Sequence, residues 1–151
     1  MRQLSGGMCE LSGPALTTRD SHHAIHEAAF LEAEELTVEL RRCVIARDEK
    51  VGMEIISMLM EHWQRRILCH ATEEEEGLYQ DIGDCWPVST TLIATLIRDH
   101  ELLRILVMEI QTLLDTRRWT AGIVERFEAL LLINAIHSRQ EEEQLLAFYE
   151  E

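Results

Sequence analysis

The sequence predicts an all-α chain folded as an up-down-up-down four-helix bundle, and three observations carry that expectation. Hydrophobic residues make up 46% of the 151, while there are only 7 Gly and 2 Pro, and both prolines, Pro14 and Pro87, lie outside the long periodic segments. Such a composition suits helices joined by few, short connections. Apolar residues recur at three- and four-residue spacing through four long segments, which is the period of a helix with one buried face. An offset of 67 residues relates the second segment to the fourth: Ile56, Met60, Trp63, Ile67, His70, Glu74 and Leu78 align with Ile123, Phe127, Leu130, Asn134, His137, Glu141 and Leu145.

Taken in order, residues 1–16 contain Gly and Ser without periodicity and read as a loose lead-in, leaving 17–151 for the bundle. The first helix starts near 17–20, where Thr and Asp supply caps, and runs to Ala46. Arg47, Asp48, Glu49 and Lys50 form a short polar turn. The second helix covers 51–81, and the stretch 82–87, with Gly83 and Pro87, is the clearest break in the chain. The third helix covers 89–115. A turn follows at 116–119, Thr120 caps the fourth helix, and that helix runs into the C-terminal region. Four helices of this length with short connections give antiparallel neighbours.

Charge and cysteine content narrow the function. The formal net charge of -14 opposes binding to nucleic acid or to an anionic membrane. No basic start followed by an apolar run marks a signal peptide, and the most apolar stretch, 129–136, is interrupted by Asn134 and too short to span a bilayer. Cys9, Cys43, Cys69 and Cys85 show no C-x-x-C spacing, so reduced thiols in a cytoplasmic protein are the simplest reading, with Cys43 and Cys69 as small buried apolar residues.

The chemistry centres on one motif that occurs twice. His70-Ala71-Thr72-Glu73-Glu74-Glu75-Glu76 and His137-Ser138-Arg139-Gln140-Glu141-Glu142-Glu143 both read H-x-x-x-E-E-E. A residue four positions on lies about 40° round a helix and about one turn along it, so His70 with Glu74, and His137 with Glu141, share a face. In the 67-residue repeat these pairs form a polar layer inside an apolar seam, which is costly unless its members are paired or bind a metal. On the third helix the inward positions from His100 are Leu103, Val107, Ile110 and Leu114; the same increments from His26 give Ala29, Ala33, Leu36 and Leu40. His26 and His100 therefore fall on the core faces of their helices. A lone core-facing His is more often a hydrogen-bonded structural residue, and a Glu in an acidic run is more often solvated. Six such residues converging from four helices are better explained as metal ligands: His26, His70, Glu74, His100, His137 and Glu141. Zinc prefers about four ligands, often with Cys. Six N/O donors, including two carboxylates able to bridge, suit a pair of irons. His62 fits neither repeat and reads as a surface or rim residue. His22 and His23 read as first-turn rim residues, with His22 as the alternative further ligand, one turn before His26.

These residues resemble the hemerythrin-like, or HHE cation-binding, family over roughly 20–150. The resemblance rests on His26, on His70-x-x-x-Glu74-Glu75, on Asp99-His100-Glu101, and on His137-x-x-x-Glu141-Glu142. The His23-Ala24-Ile25-His26 segment is also similar to the di-iron domain of bacterial iron–sulfur cluster repair proteins. Oxygen-carrying members bear a second His on the third helix; Leu96 and Arg104 stand at those offsets from His100 here. The resemblance implies two Fe in an oxo- or hydroxo-bridged centre that binds O2 or NO for storage, sensing or detoxification. The four His would be terminal ligands and Glu74 and Glu141 would bridge, leaving each iron one open position. If His22 also ligates, one iron is saturated. The alternatives are iron–sulfur cluster repair or reduction of NO or peroxide, and an iron-dependent regulatory interaction bundle. Neither the oligomeric state nor the role of Cys9 follows from the sequence.

Overall fold

A computed structural model of the chain describes residues 19–116 and 121–149. The first bundle helix is α1 (Arg19–Ala46). The second is built from α2 (Glu49–His62), a π-helical turn (Trp63–Leu68), α3 (Cys69–Glu76) and α4 (Leu78–Cys85). A short 3-10 turn (Pro87–Ser89) leads into the third, α5 (Thr90–Asp115). The fourth is α6 (Ala121–Gln140), which ends in a π-helical turn (Glu141–Leu145) and a 3-10 turn (Leu146–Tyr149). No strand occurs among the described residues, and the all-α four-helix bundle stands as expected. The expected lead-in, the Trp119 turn residue and the Thr120 cap lie outside the described residues. Among the described residues no helix is long and apolar enough to cross a membrane.

The connection after α1 is tighter than the four-residue turn expected. Arg47 takes a positive φ of 55° and ends the helix, and the Asp48 side chain accepts from the Val51 backbone N–H at 3.2 Å, capping α2 at once. The second bundle helix runs past the expected end at 81 to Cys85, where Trp86 leaves helical geometry and Pro87 opens the 3-10 turn. Its true irregularity is Gly77 (φ -119°, ψ -85°), where a Cβ would come within 3.1 Å of the Glu73 carbonyl oxygen.

Every position of the 67-residue repeat is buried except His70, which is half-buried. Packing divides into two apolar clusters. The larger includes Ala33 and Leu40 of α1, Leu59, Trp63 of the π turn, Leu103 and Ile110 of α5, and Phe127 and Leu130 of α6. The smaller gathers Leu78, Tyr79, Ile82, Leu96, Leu145 and Leu146. Along the second, third and fourth bundle helices the chain passes from the larger cluster to the smaller through one polar layer: Ile67 to His70 and Glu74 to Leu78, Leu103 to His100 to Leu96, Leu130 to His137 and Glu141 to Leu145. Full burial of side chains such as Trp63 and Phe127 stabilises by roughly 1.5–3 kcal/mol each. Truncating either to Ala costs about 3–5 kcal/mol.

Three sequence expectations are corrected by burial. His62 is buried, with Nε2 2.7 Å from the Ala29 carbonyl oxygen. It continues the buried face of α2 set by Ile55 and Leu59, at three- and four-residue spacing. Cys69 is exposed, because it sits one residue from inward-facing His70 and so about 100° round the helix; Cys43 is buried as expected. Cys85 is disulfide-bonded and not a reduced thiol, whereas Cys43 and Cys69 are free.

Candidate metal centre

All six expected residues converge in the polar layer. α1 presents His26, α3 His70 and Glu74, α5 His100, α6 His137, and the following π turn Glu141. A seventh joins them. His22 is completely buried, contrary to the rim position expected for it, with Nε2 2.9 Å from Glu74 Oε1 and Nδ1 3.1 Å from Glu141 Oε1. Since α1 already begins at Arg19, His22 is held in regular helix one turn before His26, and the two rings meet edge to face with centroids 4.2 Å apart. His23 points outward to Glu142 at 2.9 Å and is 58% exposed, so it stays outside the centre.

The donors fall into two groups that share the carboxylates. Around Glu74 Oε1 lie His70 Nε2 at 2.8 Å, His22 Nε2 at 2.9 Å and His26 Nε2 at 3.1 Å. Glu74 Oε2 faces His100 Nε2 at 3.3 Å, and His100 Nε2 and His137 Nε2 approach to 3.1 Å. Glu141 repeats the pattern: Oε1 lies 3.1 Å from His22 Nδ1, and Oε2 3.5 Å from His137 Nε2. Within each of the sets His22, His26, His70, Glu74 and Glu74, His100, His137, the donor atoms all lie within 4.8 Å of one another. The two oxygens of Glu74 thus face different histidine groups, and Glu141, outside both sets, has Oε1 toward His22 and Oε2 toward His137.

The arrangement fits bound metal better than it fits a metal-free hydrogen-bond network. Both nitrogens of His22 and Oε1 of Glu141 are buried without a well-aligned hydrogen bond, although they lie 2.9–3.1 Å from their neighbours. Orphaned buried polar atoms of this kind are costly unless something binds them. The charges lean the same way. Burial opposes ionisation of Glu74, yet hydrogen bonds from His100, His22, His26 and His70 hold its carboxyl well below the ordinary value. Burial also opposes the charged form of His137, but hydrogen bonds to Asp99 and Glu141 push it up to about 10. His70 moves up for the same kind of reason: burial lowers it, and the Glu74 hydrogen bond and charge outweigh that.

An outer layer orients the rings. His100 Nδ1 lies 2.7 Å from Glu75 Oε1, which also accepts from Arg104 Nη1 at 3.0 Å. His137 Nδ1 is 3.3 Å from Asp99 Oδ2, and His26 Nδ1 is 3.5 Å from Glu142 Oε1. A carboxylate behind the outer nitrogen fixes the tautomer and leaves the inner nitrogen free to ligate. Tyr79 completes the layer: its hydroxyl donates to Glu141 Oε2 and, at 3.4 Å, to Glu74 Oε2, and its ring stacks on His100 at 5.7 Å and 8°. Burial first, and then the charges of Glu141 and Glu74, raise its hydroxyl well above the ordinary value, so it stays a donor. On an unbroken helix Tyr79 would lie about 140° round from Glu74; the break at Gly77 carries it back over the site. Nothing in the periodicity marked it. Glu75, Asp99 and Glu142 were visible as the extra letters of the E-E and D-H-E motifs.

A cavity of about 260 Å³ opens onto the centre. Ile25, Ala29, Ile67 and Leu103 line it, and His26, His70, Glu74, His100 and His137 border it. Comparison with known proteins gives a match of residues 17–149 to the hemerythrin HHE cation-binding domain. No curated protein and no solved structure matches the chain.

Proposed function

The chain belongs to the hemerythrin HHE cation-binding family, and from that premise we propose that it holds two iron ions in the polar layer and uses them to bind O2 or NO for storage, sensing or detoxification. The observation that carries this reading is the split of Glu74 and Glu141, each with one oxygen toward either histidine group. His22, His26 and His70 would hold one ion, His100 and His137 the other, and the two carboxylates would bridge, their charge offsetting that of the cations. The iron pair, when bound, supplies reversible coordination of a small ligand and the electrons that such binding calls on.

The rest is done by the protein. Glu75, Asp99 and Glu142 hold imidazole Nδ1 atoms so that Nε2 faces inward. Tyr79 keeps a donor on the Oε2 edge of both carboxylates. The two apolar clusters flank the layer on either side, and the cavity beside Ile67 gives a small molecule a route to it. The two groups offer unequal numbers of donors: three His and two carboxylate oxygens against two His and two carboxylate oxygens. With His22 as a ligand, the two-His ion would be the one with room for an added ligand, the alternative that His22 opens to an equal vacancy on both. Metal analysis of anaerobically purified protein, followed by optical spectra before and after O2 and NO, tests the reading. Two irons per chain and new charge-transfer bands are expected; zinc alone, or iron without a spectral response to either gas, contradicts it.

A further inference from the structure

Asn134 is the polar residue of the seam that the metal centre does not explain. In the 67-residue repeat it occupies the position of Ile67, between Leu130 of the large apolar cluster and His137 of the centre. It is 7% exposed, and that exposure is to the cavity. Its amide makes no hydrogen bond to any described residue. Its amide atoms are not sealed off but open onto the cavity, at the position that the earlier repeat fills with the apolar Ile67. Of the other polar groups on the cavity outside the centre, Arg65 pairs with Glu61 at 3.2 Å and Arg66 with Glu32 at 3.2 Å, and Glu73 and Cys69 stand on its exposed side. Asn134 is one turn before His137, so it stands beside the two-His group.

We propose that the Asn134 side-chain amide is the hydrogen-bond donor for a small ligand bound at the centre, selecting ligands with an accepting, negatively polarised N or O atom over purely apolar ones. This rests on the two-iron reading above. An amide suits the task because it offers two N–H groups and keeps them at every pH the protein meets. Ile25, Ala29, Ile67 and Leu103 make the inner wall apolar, while Arg65, Arg66 and Glu73 stand at its exposed side, so Asn134 is the uncharged amide donor on the lining. Asn134 acts here as a positioning and selectivity residue and need not touch the metal.

The test uses the iron-loaded full chain with azide as probe, comparing wild type with Asn134→Leu, which keeps the branched shape and removes the donor. Three quantities are read: iron per chain, the azide dissociation constant from optical titration, and the infrared stretch of bound azide. Asn134→Leu should keep its iron, bind azide about tenfold more weakly, the effect of losing one good hydrogen bond, and shift the azide stretch. Its metal-free form should melt no lower than metal-free wild type, because an unpaired amide has been replaced by an apolar group. Unchanged azide affinity and an unchanged stretch overturn the proposal, as does a lowered metal-free melting temperature, which would make Asn134 a structural residue. Iron lost from the variant alone overturns it too. Iron absent from wild type overturns the two-iron reading first, and this inference with it. Asn134→Ala repeats the comparison with a smaller side chain if the leucine variant fails to fold.

Discussion

The three-His and two-His groups are built on opposite plans. The three-His group is rich in donors and lightly braced: His70 Nδ1 has only exposed Glu73 at 3.9 Å, His26 Nδ1 has Glu142 at 3.5 Å, and both rings are partly accessible. The two-His group is poor in donors and tightly braced. His100 and His137 are almost wholly buried, each has a carboxylate behind it, Arg104 holds one of those carboxylates, and Tyr79 stacks on His100. Where donors are few, the protein fixes them in advance; where they are many, chelation by several rings does the same work. An ion with few, rigid ligands keeps its vacancy in a defined place, which is what ligand binding needs.

The largest break in this comparison comes from the residues the groups share. Glu74→Ala or Glu141→Ala should drop iron from two per chain to below one and lower the melting temperature by about 10 °C. A tightly bound ligand contributes about 4 kcal/mol at a thousandfold excess over its dissociation constant, and each kcal/mol moves a chain of this size by about 2–4 °C. Glu73→Ala and Glu76→Ala, on exposed side chains, should keep both irons. Elemental analysis and calorimetry check all four.

Next come variants that separate the groups. His100→Ala or His137→Ala should lose one iron, since two His and no spare donor cannot spare a ring. His22→Ala should keep two, the three-His group falling to the level of its neighbour, and should gain a second site for azide in an optical titration. Equal iron loss in all three variants would mean the groups are not distinct.

Smaller effects are expected from the bracing. Glu75→Gln and Asp99→Asn should weaken iron binding about 10–100-fold by chelator competition, whereas Glu73→Gln should change it little. The bracing also shapes the pH response. His137 is raised from 6.5 to about 10 in the metal-free protein, so its protonated form stabilises the fold fully below 6.5 and that contribution is lost as pH rises toward 10. Metal must displace that proton, so affinity rises over the same range. The melting-temperature gap between iron-loaded and metal-free protein should therefore widen from pH 6.5 to pH 9; a constant gap would mean His137 carries no such proton.

Much of this was legible in the sequence for a physical reason. The repeat from Ile56 to Leu78 and from Ile123 to Leu145 shows through because a buried seam tolerates few substitutions in kind, and four residues separate His from Glu in both copies because one helical turn does. Tyr79 escaped because the break at Gly77, which has no periodic signature, returns it to the site. His62 lies outside the 67-residue repeat but continues the buried face of Ile55 and Leu59 in regular helix. His22 escaped differently: its spacing from His26 was plain, but whether a first-turn ring is buried depends on where the helix begins. The two-group division of the donors follows from which carboxylate oxygen faces which ring, and spacing says nothing about that.

The most direct test of the asymmetric pair is a Mössbauer spectrum of the full chain loaded with ⁵⁷Fe, taken with elemental analysis. The account predicts two irons per chain and two quadrupole doublets of equal area, one for the three-His ion and one for the two-His ion, with azide shifting only the second. A single iron per chain, or two irons giving one doublet that azide shifts as a whole, would contradict it.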